Sequence, residues 1–389
     1  MRHTVGFMTD TAAALAPFAP ADRGIDEPDH TRAALRAAGP VVRVEAPAGG
    51  PVWIVTDEAV ARAALVDPSI SKDPAWAPTA WDPRVAGLEP PAAAVPSLTT
   101  LDGPAHAALR QAHAPLFTAR RLRAHYGFMT ELAIGMLSAV AGEDPVDLAA
   151  DFTARYPVAV LLELLGIPAD RVDDALGACR AMFTGPEGPV RAMATFADLA
   201  AAGLTDGRSG FAAELRDRVP AEITRDQLHY LLFGLIFPGQ ITTDPALGFV
   251  LADVLDDGRA DADLDDLVRE TLRHHPPAPL TLWRFTVEEV ELAGVRLPPR
   301  APVLVDILGT GTDPHRETGP DLTFGAGPHY CLGAQLASLE LRAVAEVVRT
   351  EFPHARLAVP RAALRQVSDG GIGGSRLAAL PVVLGPKKI

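Results

Sequence analysis

One sulfur in this 389-residue chain sits where it can do chemistry. Cys331 lies in FGAGPHYCLG, Phe324 to Gly333, among three glycines and two residues after His329. An apolar run of small residues, AQLASLEL, follows directly. A thiolate that holds a metal needs a tight loop, shielding from water and backbone N–H groups aimed at the sulfur. Gly325, Gly327 and Gly333 offer the backbone freedom for such a loop. Phe324 offers an apolar cover, and a helix expected from about Leu332 to Thr350 offers N–H groups and its positive end. The plainer alternative for a lone cysteine is a buried structural one. Cys179, which has no such surroundings, is read that way. The chain has no CxxC or Cys/His zinc spacing and no disulfide framework.

Three further segments carry side chains at useful spacing. In ETLR, Glu270 and Arg273 share one helix face, and HHPP follows. Alone, such a pair is an ordinary surface ion pair. DGPAHAALR sets His106 and Arg110 four residues apart, a spacing suited to charge-assisted donation toward carboxylates. PGQITTD, Pro238 to Asp244, lies inside the long apolar helix expected over Leu228–Leu251, where Pro238 and Gly239 predict a kink. The basic stretch Arg120–His125 is either a docking patch or a solvated helix end.

Together these segments resemble the cytochrome P450 family. FGAGPHYCLG matches the haem-thiolate loop FGxGxHxCxG, and ETLR matches the ExxR motif. The resemblance implies one haem b, held non-covalently because the CxxCH signal is absent. Cys331 would be the proximal iron ligand, with Phe324 and Gly333 shaping its loop and Ala334 and Ala337 letting the helix lie close under the macrocycle. His106, Arg110, Arg284 and His329 would reach the propionates. Glu270 and Arg273 would form the ion pair that holds the loop near the cysteine. Thr242 matches the threonine that steers oxygen or water, and Gln240 and Thr243 are further candidates to hold water. The space for substrate would be lined by Trp76, Trp81, Leu235, Phe237, Ile241, Leu280, Leu282 and Trp283.

Two departures stand out against that family pattern. The acid that precedes the threonine is replaced by Ile241, which cannot carry a proton, and Pro238 takes the alanine position. The substrate then supplies a hydroxyl or carboxyl, or water suffices, or the chemistry is not ordinary monooxygenation. Asp244 is expected to face elsewhere. The stretch from Asp313 to Phe324 is also short, without the usual aromatic and arginine that bolster ExxR. Arg316 or His315 is the candidate substitute.

The elements that must position these residues read as mostly helix. Ala-rich amphipathic runs broken by prolines, 36 in all, predict many helices. His30–Ala38, Glu58–Leu65, most of Ala105–Leu204 and Leu264–His274 are helical by pattern. Pro51–Thr56, the run around AGV and residues 355–386 read as strands and turns. Residues 68–100 form a long proline-rich loop. The expectation is a mainly α fold with a small β region, the cytochrome P450 fold, as one domain over residues 1–389. A net charge of −14 argues against nucleic acid. The N-terminus has no basic segment leading into a long apolar core, so neither a signal peptide nor a membrane anchor is expected. The expected protein is a cytoplasmic monomer that oxidises a small hydrophobic metabolite. Electrons would come from ferredoxin and an NAD(P)H-dependent ferredoxin reductase. The alternatives are a peroxygenase, a dehydrogenating or coupling enzyme, an isomerase or lyase, and a haem sensor or carrier.

Overall fold

The computed structural model describes residues 15–87, 95, 97–142, 145–205, 207–259, 261–316 and 319–388. Most of the N-terminal stretch from which no signal peptide or anchor is expected, and part of the proline-rich loop, lie outside the described residues. The long helices are α1 (His30–Ala38), α2 (Glu58–Val66), α3 (Gly103–His113), α4 (Tyr126–Val140), α5 (Arg155–Leu165), α6 (Val172–Ala181), α7 (Gly188–Gly203), α8 (Arg225–Val254), α9 (Leu264–His274) and α10 (Ala334–Glu351). Their starts follow capping chemistry. Asp29 caps α1 by accepting from the Thr31 and Arg32 N–H groups, and Thr224 with Gln227 forms a capping box on α8. Gly166 ends α5 in the left-handed region at φ 76°.

The 30-residue α8 is the spine of the molecule. It runs unbroken through Pro238 and Pro245, so the kink expected at Pro238 does not interrupt the helix. Gly239 is where α5 crosses closest: a Cβ there would lie 2.8 Å from Leu161 Cδ1. Around α8 the main core joins Leu161, Phe196, Phe233, Leu247, Leu272 and Leu341 with their neighbours, drawn from α5, α7, α8, α9 and α10.

The β region is smaller. Its largest sheet has five strands, in the order β2 (Val41–Glu45), β3 (Pro51–Val55), β9 (Pro302–Val305), β6 (Arg284–Thr286) and β4 (Ile70–Ser71). The β3–β9 pair is parallel and the rest are antiparallel. Alternation sends Trp53, Val55 and Val303 to one core and Val52, Ile54 and Leu304 to another on the opposite face. β7 (Val290–Leu292) and β8 (Val295–Leu297) form the hairpin expected around Ala293-Gly294. Short strands complete the β region: β1 (Ala21–Gly24), β5 (Val146–Asp147), β10 (Arg356–Leu357), β11 (Arg365–Ser368), β12 (Arg376–Leu377) and β13 (Pro381–Val383). β1 and β2 lie in a stretch whose sequence reads as irregular. β1 is recruited by a partner distant in sequence, β11, and β2 by the neighbouring strand β3 in a local antiparallel pair.

Candidate functional site

The cysteine loop is built as a tight turn before α10. Gly325 and Gly327 hold φ of 73° and 70°, a region that favours glycine. At Gly327 a Cβ would also strike Val66 of α2, at 2.5 Å from its Cγ1. The Cys331 N–H donates to Phe324 O at 2.9 Å and closes the loop. Gly333 does not serve through positive φ, since its φ is −83° at the helix N-cap. Its value is its N–H, which with that of Ala334 lies near enough to the Cys331 sulfur to favour the thiolate. Cys331 keeps accessible surface although protein crowds it closely. Desolvation pushes the thiol up, and the two N–H groups and the Arg110 charge oppose it.

A cluster of cations gathers beside this loop. His106 and His329 lie 4.1 Å apart, ring to ring. His329 Nε2 meets Asp102 Oδ1 at 2.8 Å. The other oxygen of Asp102 accepts from Ser71 Oγ at 2.7 Å and from the Lys72 N–H at 2.6 Å. Burial alone would raise the Asp102 carboxyl, but the bonds from His329, Ser71 and Lys72 outweigh it and hold the group far below the carboxylate range. One carboxylate faces many positive groups. Desolvation pulls His106 down to about 4, helped by the charges of His329 and Arg110. Arg284, 4% exposed, is drawn down to about 10 by desolvation. Lys72, 7% exposed, is pushed well below the usual lysine range by desolvation and by the Arg284 charge. Strand register explains the juxtaposition: Ser71 pairs with Phe285 in antiparallel β4–β6, so the next step sets Lys72 opposite Arg284.

Sequence reasoning did not pick out Lys72, because no motif surrounds it and its place depends on that register. The buried Nε2 of His106 and Nε of Arg284 have no protein partner among the described residues. Unpaired buried donors of this kind call for an anion.

The three candidate relay residues on α8 point in different directions. Gln240 donates from Nε2 to Asp244 Oδ2 at 3.2 Å, and Thr153 donates to Asp244 Oδ1 at 2.7 Å. Gln240 and Asp244 are therefore turned toward the start of α5. Thr243 is buried and its side chain faces Glu340 of α10. Thr242 alone of the three lies on the incompletely packed face of α8, with Gly234, Pro238, Ile241 and Pro245. Its hydroxyl donates to Pro238 O at 2.8 Å.

The ExxR pair forms, with Glu270 Oε2 accepting from Arg273 Nε at 3.0 Å. Arg273 NH1 then donates to Gly311 O at 2.5 Å. Arg316 does not join this pair. It ion-pairs with Glu58 of α2 at 3.1 Å. His315 is exposed.

Several residues expected to line the substrate space sit elsewhere. Trp81, Leu280 and Trp283 are packed in a small core with Phe285, and Trp283 donates to Ala86 O at 2.9 Å. Extended backbone separates the two faces here: Trp283 and Phe285 point into that core, while Leu282, 39% exposed, shares the face of Arg284. Trp76 is 40% exposed on a short 3-10 turn. Leu235 and Phe237 are partly buried against the main core, with Phe237 stacked on Phe233 at 5.4 Å. Cys179 is a core residue, its thiol pushed up to about 12 by burial. Within Arg120–His125, Arg121 pairs with Glu214 and covers Phe211 at 4.5 Å, while Arg120 and Arg123 remain exposed.

A soft sulfur cradled by two N–H groups, beside buried donors that lack a counter-anion, fits a haem with its carboxylates. No family model matches the chain. It is 43% identical over 396 residues to cytochrome P-450 monooxygenase DoxA of Streptomyces sp. strain C5, a match covering 90% of this chain and 93% of that one. It is 30% identical over 387 residues to vitamin D(3) 25-hydroxylase of Pseudonocardia autotrophica, covering 92% and 94%. Among solved structures, the tirandamycin C-bound P450 monooxygenase TamI superposes with a TM-score of 0.77 at 27% identity, covering 91% of this chain and 96% of that one. The fold and these relatives define an oxidoreductase of the haem-thiolate class. The chain belongs to the cytochrome P450 family.

Proposed function

We propose that this P450 is a monooxygenase of specialised metabolism that hydroxylates a small, largely hydrophobic metabolite, using haem b ligated by Cys331. The observation that carries this reading is the pairing of the N–H-cradled Cys331 sulfur with the unpartnered buried donors of His106 and Arg284. His106, Arg110, Arg284, His329 and Lys72 would hold the carboxylates of the group. When bound, the haem supplies the redox centre and activates oxygen. The overall reaction places one oxygen atom in a C–H bond and releases the other as water, consuming two electrons and two protons. Ferredoxin and its NAD(P)H-dependent reductase would deliver the electrons.

The protein's part is to exclude bulk water, orient the substrate and pass protons. Thr242 is the hydroxyl available on the incompletely packed face of α8, and its oxygen can still accept from a water while it donates to Pro238 O. Leu282 and Ile241 give that space an apolar character, which favours a hydrophobic substrate.

The test is the reduced carbon-monoxide difference spectrum of the parent and of Cys331→Ser. The parent should show the thiolate band near ~450 nm and the variant should lack it. A band retained in Cys331→Ser overturns the ligand assignment. Titrating the parent with apolar metabolites should then give a spin-state shift for the substrate class.

One observation favours a second reading. The centre of the same α8 face, Gly234, Pro238, Ile241, Thr242 and Pro245, carries no ionisable side chain. A peroxygenase, a dehydrogenating or coupling enzyme, or an isomerase or lyase would need no protein acid there. Product formed with hydrogen peroxide, in the absence of ferredoxin and reductase and at a rate matching the full system, would favour the peroxygenase form of that reading.

A further inference from the structure

The segment leading into the cysteine loop is held from an unexpected direction. Glu58, at the start of α2, has each carboxylate oxygen claimed by a different guanidinium: Oε1 by Arg62 at 2.6 Å and Oε2 by Arg316 at 3.1 Å. Arg62 donates to Glu58 and to Pro320 O, while Arg316 faces Glu58 as an ion pair and donates to Gly319 O at 2.7 Å. The far end of the same helix meets the loop again, with Val66 and the Leu65 carbonyl lying against Gly327. Between these points Leu322 packs into the core that contains Ala61 and Leu65. The Gly325 N–H then donates to Leu322 O at 2.8 Å, and Cys331 N–H to Phe324 O at 2.9 Å. The ExxR pair does not reach this far: Arg273 ends on Gly311 O, before the segment begins.

We propose that Glu58 is a positioning residue for Cys331: by binding Arg62 and Arg316 together it ties the shortened segment to α2 and fixes the approach of the cysteine loop. The inference rests on Cys331 being the metal ligand. Its structural half, that Glu58 orders the loop, stands apart from that assignment. The geometry suits a local role. Glu58 and Arg316 are only partly exposed, with side chains 26% and 12% accessible, so the pair is less screened than a free surface bridge. The two guanidiniums that Glu58 holds donate to backbone carbonyls at the mouth of one loop.

Two readouts test it, with Glu58→Ala, Glu58→Gln and a control, Glu45→Ala, which removes the exposed Arg43–Glu45 pair. The first is hydrogen exchange at the Gly325 and Cys331 amides of the full chain. Glu58→Ala should speed it about tenfold, Glu58→Gln about threefold and Glu45→Ala not at all. The second is the rate at which the reduced carbon-monoxide complex loses its thiolate band in moderate urea, which should rise about tenfold in Glu58→Ala while the thermal midpoint stays at the parental value. Arg316→Ala should give a similar effect, and the double variant little more, since the two act as one unit. Parental exchange rates in Glu58→Ala overturn the proposal. Faster loss of the band matched by a lower thermal midpoint overturns it too, because Glu58 would then serve general stability. A parent without a thiolate band would defeat the proposed function and the ligand half of this inference, and the exchange rates would still decide whether Glu58 orders the loop.

Discussion

An ammonium buried without an anion is among the costliest side chains a fold can carry. Lys72 makes no side-chain hydrogen bond or ion pair among the described residues, and its neighbour across the strand pair is another cation, Arg284. Such a group destabilises the protein alone and is repaid when a carboxylate arrives. Lys72→Met should therefore leave the haem-free protein as stable as the parent or more so. It should also speed haem transfer to an acceptor globin by about ten- to a hundredfold, since one charge-assisted hydrogen bond of about 1.5–3 kcal/mol is lost. Reconstitution with the dimethyl ester of the haem should erase the difference between variant and parent. Equal transfer rates with ordinary haem would remove Lys72 from the site. The sequence marks this region unevenly. Cys331 and its glycines announce a ligand loop by local chemistry, and His106 and Arg110 by spacing on one helix. Lys72 and Asp102 become partners only through the β4–β6 register and the start of α3, which no local pattern encodes. Gln240 and Thr243 show the converse. Their types and place on α8 suit proton handling, yet tertiary packing commits one to Asp244 and the other to Glu340.

Between elements, the contact with most influence on the site is where α8 crosses α10. Thr243 and Glu340 meet there, both buried, one residue from Thr242 on one helix and at the tenth position from the sulfur-bearing Cys331 on the other side of the crossing. Desolvation pushes the Glu340 carboxyl well above its usual range, so the folded protein keeps it neutral while the unfolded chain ionises it near 4.5. The folded state then binds the extra proton, and Glu340 costs stability progressively as pH rises above that value. Glu340→Gln keeps a neutral side chain of the same shape. It should gain on the parent as pH rises from 5 to 8, whereas Glu340→Ala should lose about 2–4 kcal/mol at any pH through the cavity and the stranded Thr243 hydroxyl. Urea unfolding at several pH values separates the two, and a Gln variant that falls behind the parent at pH 8 would show that Glu340 is ionised. Elements of this length were legible: α1, α2, α9 and β3 fall where periodicity and capping residues set them. β1, β4 and β5 were not, since they exist only by pairing with partners hundreds of residues away.

Across the whole molecule, charge and buried imidazoles set opposing responses to acid. The chain carries −14 at neutral pH, so protonating carboxylates relieves some self-repulsion. That relief is screened at physiological salt and begins in earnest only near the carboxylate range. The buried histidines act earlier. His275 stacks on Phe249 with ring centroids 4.1 Å apart, and desolvation, aided by the His274 and Arg361 charges, lowers it to about 3. His113, fully buried, is lowered too, chiefly by desolvation. A histidine whose folded value is depressed binds fewer protons in the native state than in the unfolded one. Its contribution is intact above the unfolded value of 6.5 and is lost as pH falls from there toward 3. Each such histidine sets a slope of up to about 1.4 kcal/mol per pH unit; between pH 6.5 and 5 the opposite slope of Glu340 offsets about one of them, while most carboxylates are still ionised. The haem-loaded protein should therefore lose stability steadily from pH 7 to 5 in urea unfolding. His275→Phe, which keeps the stacking and removes the titration, should reduce that slope by up to about 1.4 kcal/mol per pH unit and leave the neutral-pH stability close to parental. An unchanged slope would mean that His275 accepts its proton within the fold, and that the acid response of this P450 comes from its carboxylates instead.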